Sequence, residues 1–318
     1  MLRELAWHET DQAPDGSGRR GWPASLRVAA ARTGARPALL LVGPGAAFFL
    51  AVFLVPVGLM IGHSLFQQLP NGALSSQPTF ANYARLFGVD LYRTVLLTTL
   101  RISLLTTLAA AVLAYPLALV IARGPALAGR ALTVIVIAPL LVNVVVRAYG
   151  WRVILASGPN GVLNWALSGL GLGPVELLYS EWAVVIGSVQ VFLPMMALPL
   201  AAAIGRIDPA VEDAARTLGA SSLAVFRRVT LPLSLPGLGV GATLVFSLTA
   251  SSFILPSLLG GSTTKMLGTM VEEQILTVYD WPFGAAIATV MVVIVLAINL
   301  ASMALIERRV RTRAVQAE

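Results

Sequence analysis

Six stretches of this chain are continuously apolar for the length a helix needs to cross a bilayer, about 20 residues. They cover roughly 38–62, 95–122, 131–155, 182–204, 237–259 and 284–306. In lipid every backbone polar group must be satisfied internally, and only helices and closed barrels do that. The blocks are apolar throughout and do not alternate, which excludes a barrel and predicts an all-α membrane protein of six spans. Pro116, Pro139, Pro194, Pro199 and Pro256 fall inside the blocks and predict kinked helices. Composition agrees. Of 318 residues, 57% are hydrophobic and 12% are Asp, Glu, Lys or Arg, about half the charged share of a soluble domain. A soluble globule cannot hide so much apolar surface. That excludes a soluble enzyme, and a nucleic-acid module too, despite a net charge of +7.

The positive charge reports topology instead. Arg3, Arg19, Arg20, Arg27, Arg32, Arg36, Arg123, Arg130, Arg206, Arg216, Arg227, Arg228, Arg308, Arg309, Arg311 and Arg313 gather on the side that holds both chain ends. By the positive-inside rule that side is cytoplasmic. Expected outer segments are 63–94, 156–181 and 260–283, with Tyr149, Trp151, Tyr179, Trp182, Tyr279 and Trp281 near outer span ends as an aromatic belt. Residues 1–37 read as a disordered basic cytoplasmic tail, 38–306 as the six-span domain and 307–318 as a cytoplasmic C-terminal tail.

Several chemistries are excluded. There is no cysteine. His8 and His63 are far apart, so neither a metal site nor a Ser-His-Asp set is expected. Lys265, the sole lysine, lies between Thr264 and Met266, so the chain has no Gly-Lys-Ser/Thr phosphate loop.

The segment of about 205–236 is the most informative. Asp208 can cap a helix that Pro209 opens, with Glu212 and Asp213 early in it, where the helix dipole favours acids. Gly219 suits a left-handed residue past its end. Ser221 or Ser222 can cap a second short helix with Leu223, Phe226 and Val229 on one face, before Pro232 and Pro236 return the chain to the membrane. The result is a helical hairpin outside the bilayer between spans four and five. Two uses fit it: docking a partner protein, or resting on headgroups with Arg227 and Arg228 on anionic lipid.

The succession Asp213-Ala214-Ala215, Gly219, Val229, Leu231-Pro232 resembles the Glu-Ala-Ala loop of binding-protein-dependent ABC importer permeases, with Asp for Glu and Val for Ile. The resemblance extends over roughly 38–306. It implies a type I ABC importer permease bundle in a bacterial inner membrane. The loop residues Glu212, Asp213, Ala214, Ala215, Gly219, Phe226, Val229, Leu231 and Pro232 would then form a coupling helix docked on a cytosolic ATPase. The implied partners are ABC ATPase subunits that use ATP-Mg, a second permease (a different chain by this resemblance) and an external solute-binding protein. The chain itself would bind no cofactor or metal and catalyse nothing.

Arg147-Ala148-Tyr149-Gly150-Trp151 and Trp281-Pro282-Phe283-Gly284 are similar to the spermidine/putrescine branch, first-permease type. That implies a small polar organic cargo bearing amines, with polyamine favoured. Serines stand at Ser252 and Ser257 where acids are expected for that cargo. A small anion is the other cargo considered, through Arg101 and Arg147. Candidate pathway residues are Arg101, Arg147, Tyr149, Trp151, Ser252 and Trp281. For the arginines the competing role is snorkelling or ion pairing, and for the aromatics it is the belt. A stand-alone secondary transporter is the rival from another class. It would need ionisable groups within the spans, and no acid lies mid-span.

Overall fold

The computed structural model describes residues 35–69, 72–158 and 161–315. Residues 1–34, most of the expected N-terminal tail, lie outside that range. The chain divides into two units at Gly58–Leu59. Helix α1, Ala35–Ser64, carries the first apolar block and contains Pro44 and Pro56. Next come α2 (Ala81–Gly88), α3 (Asp90–Arg123), α4 (Ala126–Ile137) with a 3-10 turn (Ala138–Leu141), and α5 (Val144–Ile154). They are followed by α6 (Val162–Gly169), α7 (Glu181–Gly205), α8 (Pro209–Thr217), α9 (Ser222–Ala250), α10 (Leu267–Glu272) and α11 (Trp281–Val315).

Five of these helices are long and apolar enough to cross a membrane: α1, α3, α7, α9 and α11. A sixth crossing exists when α4 and α5 count as one span, bent by 100° between them. The third block, expected as one kinked helix, is instead broken into two. Pro139 tightens the end of α4 into the 3-10 turn, Val142 is extended, and Asn143 starts a new helix by accepting the Val145 N–H at 2.8 Å. The fifth block is corrected as well. Its helix ends at Ala250, Ser251–Phe253 are not helical, and Pro256–Gly260 form a wide π-turn. At the far end α11 runs to Val315, beyond the expected span end at 306.

The core of the second unit is α7 packed between α3 and α9. Ala110 and Ala114 of α3 meet Met196 and Ala197 of α7 and Val245 of α9 in one buried cluster. Glycines on α9 make this close. A Cβ on Gly237 would lie 2.3 Å from Ala203 Cβ and 2.7 Å from the Pro199 carbonyl, and one on Gly241 would lie 2.7 Å from Met196 Sδ. Small residues are the usual means of helix approach in membranes, where burial drives association little. Buried hydroxyls add ties across the fold. Thr99 Oγ1 on α3 accepts the Leu267 N–H at 2.8 Å, fixing the start of α10. Tyr115 of α3 and Ser234 of α9 bond at 2.5 Å.

Candidate functional site

Helix α8 begins as its sequence dictates. Asp208 Oδ1 accepts the Ala210 N–H at 2.9 Å, and Pro209 occupies the first position. It closes with a two-bond C-cap, Gly219 N–H to the Arg216 carbonyl at 2.9 Å and Ala220 N–H to the Ala215 carbonyl at 3.1 Å. Gly219 has φ +84°, and a Cβ there would meet nothing within 4 Å. The glycine is thus required by backbone conformation and not by space. Ser221 is the cap of the following helix, its Oγ accepting the Ala224 N–H at 3.3 Å.

That following helix is not a separate short element. It passes through a π-turn, Phe226–Thr230, directly into the span, so α9 runs unbroken from the hairpin to Ala250. The wide turn, with Leu231 N–H reaching the Phe226 carbonyl, precedes Pro232, which has no N–H to give. Leu223 is exposed, Val225 and Thr230 are buried, and Phe226 and Val229 are half-buried. Phe226 turns inward and packs edge-on against Tyr115, ring centres 5.0 Å apart. Leu231 and Pro232 are half-buried in the first turn after the π-turn.

The two acids of α8 part company. Asp213 faces outward, 67% exposed, and pairs with Arg216 at 3.1 Å. Glu212 faces inward, 12% exposed, accepting the Thr230 hydroxyl at 3.0 Å with Arg123 at 3.7 Å. Ala214 is exposed and Ala215 half-buried. Leu218, next to Gly219, is 89% exposed, and Val211 and Leu223 are exposed too. The hairpin thus carries an uncovered apolar rim around small residues and an outward carboxylate. That combination suits a protein cleft.

The pathway candidates are scattered. Arg147 and Ser252 are brought together. Both line a cavity of about 370 Å³ whose walls include Val191, Phe192, Leu248 and Ser251. The Nε and Nη1 of Arg147 are buried without a hydrogen-bond partner among the described residues. Trp151 lies beside this region, its indole N–H donating to Gln190 Oε1 at 3.3 Å. Arg101 pairs with Glu181. Tyr149 lines a different surface with Arg152 and Tyr179. Trp281 is 60% exposed, its backbone N–H donating to Gln68 at 3.2 Å. Nearby, Asp280 pairs with Arg85 at 3.0 Å and Glu273 with Lys265 at 2.7 Å.

Glu272 is not among the expected pathway residues. Its Oε2 accepts the Ser257 hydroxyl at 3.3 Å, and it has no basic partner among the described residues. Ser257, Lys265, Thr269, Glu272 and Glu273 line a concavity of about 240 Å³. A carboxylate thus stands at one of the two serines where the sequence lacks one, delivered by α10 from fifteen residues further along. No local pattern around Ser257 signals it.

Apolar crossing helices, one of them sharply bent, and an external helical hairpin continuous with a span define a multi-pass permease. The family of binding-protein-dependent transport system inner membrane components matches residues 121–312, and the chain belongs to it. The spermidine/putrescine transport system permease protein PotB of Salmonella typhimurium is 35% identical over 247 residues, 77% of this chain and 85% of that one. Its counterpart in Escherichia coli K12 is equally similar and is covered to 88%. A chain of the bacterial alginate ABC transporter, crystallised with an alginate pentasaccharide-bound periplasmic protein, superposes with a TM-score of 0.69. It covers 83% of this chain and 92% of its own at 21% identity. The fold is that of an ABC importer permease, as the loop motif implies.

Proposed function

We propose that this chain is one of two transmembrane permease subunits of an ATP-driven, binding-protein-dependent importer, and that its cargo is a small amine-bearing solute, spermidine or putrescine foremost. A solute-binding protein delivers the cargo at the outer segments. Two cytosolic ATPase subunits close on ATP-Mg, and their motion, taken up by α8, switches the pathway from outward- to inward-open. The chain itself performs no chemistry. Both termini are cytoplasmic, in keeping with the arginine distribution and with six crossings when α4 and α5 count as one.

The observation that carries this reading is the hairpin. Its exposed Leu218, outward Asp213 and small Ala214 surround a glycine-defined turn at the head of a helix continuous with a span. For the cargo, the PotB relatives and the carboxylate of Glu272, which has no basic partner among the described residues, favour an amine. One observation favours a small anion instead: Nε and Nη1 of Arg147 in its cavity have no partner among the described residues.

The test is twofold. Tagged chain extracted in mild detergent is expected to bring down an ATPase subunit and, purified alone, to hydrolyse no ATP. Uptake in cells carrying the whole transport system is expected to be competed by putrescine or spermidine. Competition by anions alone would reject the polyamine reading and leave the importer reading standing, and hydrolysis by the chain alone would reject both.

A further inference from the structure

The inward-facing acid of α8 has no role in the docking surface just described. Glu212 lies at the meeting point of four segments. Its Oε1 accepts the hydroxyl of Thr230, which is 4% exposed in the π-turn at the head of α9. The same oxygen lies 3.7 Å from Nη2 of Arg123, the last residue of α3. That Nη2 donates in turn to the Ile207 carbonyl at 2.5 Å, in the strand of chain between α7 and α8. Below this node, Tyr115 of α3 packs on Phe226 and bonds to Ser234 of α9. Both ends of the pair suit their helices, since an acid in the first turn of α8 and a cation at the C-terminus of α3 each complement a helix dipole.

We infer that Arg123, Glu212 and Thr230 form a latch that transmits displacement of the coupling helix into α3 and α9 together. They are positioning residues, acting on the pathway only through the helices they join. The physical case is one of stiffness. Helix α8 is a nine-residue element with no fully buried side chain of its own, so apolar packing holds it weakly. A push from a docked ATPase moves the spans only as far as the attachment is rigid. Glu212 supplies a directional attachment, because a charge this far from water is costly to leave unpaired. The hydrogen bond to Thr230 ties α8 to the unbroken helix that becomes the fifth crossing. The charge of Arg123 ties it to the end of the second. Without the node α8 would stay covalently joined to α7 and α9 but could tilt without carrying α3 along.

This inference rests on the importer reading, and its test separates the two. The complete transporter, with ATPases, second permease and binding protein, is reconstituted in vesicles. Two quantities are read, radiolabelled putrescine taken up per ATP hydrolysed and the stimulation of hydrolysis by the binding protein. Arg123→Met keeps the length and apolar stem but removes the charge. It is expected to retain the ATPase subunits while both quantities fall about tenfold. Glu212→Gln keeps an acceptor for Thr230 and is expected to fall about threefold, and Arg123→Lys, which restores the charge, to stay within about twofold of the parent. Thr230→Val leaves the pair intact and removes one hydrogen bond. An expected two- to threefold fall there carries the test should Arg123→Met not assemble. Parental coupling in assembled Arg123→Met, or in Thr230→Val if Arg123→Met does not assemble, would overturn the latch. Arg123→Lys no better than Arg123→Met would overturn it as well, by removing charge from the account. A parent chain that holds no ATPase would overturn the importer reading itself. A parent that hydrolyses ATP but takes up no putrescine would overturn only the cargo, and the latch is then decided by the stimulation alone.

Discussion

Gly219 offers a test in which one variable changes at a time. Its φ of +84° belongs to the left-handed region, and a Cβ built there touches nothing within 4 Å. A Cβ therefore adds no clash, and the loss of glycine's freedom perturbs the backbone conformation first. An L-residue held in that region costs about 1–2 kcal/mol, which makes the closed turn about 5- to 30-fold less favoured against its alternatives. The turn aims Leu218 and sets the angle between α8 and α9, so a partner that recognises the closed hairpin loses affinity by up to that factor. Asparagine tolerates the left-handed conformation and a β-branched residue does not. The expected order of weakening is Gly219→Asn, then Gly219→Ala, then Gly219→Val. The assay is titration of the purified ATPase subunit onto detergent-solubilised transporter, with thermal denaturation run in parallel. Denaturation of the spans should not move, because no core contact is altered. Equal affinity across the three variants would refute the conformational reasoning, and a large loss of span stability would show that the glycine serves packing instead.

Gly237→Ala, by contrast, places a methyl group 2.3 Å from Ala203 Cβ and close to the backbone of α7. Forcing α7 and α9 apart is expected to cost about 1–3 kcal/mol and to lower the melting temperature in detergent, while Gly205→Ala, with open space around it, should leave it unchanged. Thr99→Val removes the acceptor of the buried Leu267 N–H. The orphaned donor is expected to cost about 1–3 kcal/mol, seen as faster amide exchange at the start of α10. If the cargo is a polyamine, Glu272→Gln should raise the apparent KM for putrescine several-fold without lowering ATPase binding, measured by uptake in cells carrying the whole system. An unchanged KM would remove Glu272 from the cation's route.

Much of the molecule is legible one residue at a time. Helices are the only open choice for continuous apolar blocks in lipid, and length sets their number. That is why α1, α3, α7 and α11 begin within a few residues of the blocks that predict them. The ends of α8 are legible for the same reason. Caps are local chemistry, and Asp208, Gly219 and Ser221 each bond backbone groups two or three residues away. Where the expectation fails, the cause is competition between local signals. Pro139 and Asn143 outweigh hydropathy in the third block, bending it by 100°, and the π-turn before Pro232 fuses two elements that seemed distinct.

What no local pattern contains is which charge meets which. Glu212 and Asp213 are adjacent acids on one helix, and successive helical residues point about 100° apart. One therefore enters the node with Arg123 while the other faces outward, and only the packing of α3 against α9 decides which. The same holds for Glu272, set against Ser257 by the fold of α10, and for Arg147, whose Nε and Nη1 are buried with no partner among the described residues. Apolar periodicity and capping are short-range and are written along the chain. Charge pairing between helices depends on their relative rotation and height, which the sequence specifies only through the whole packed structure.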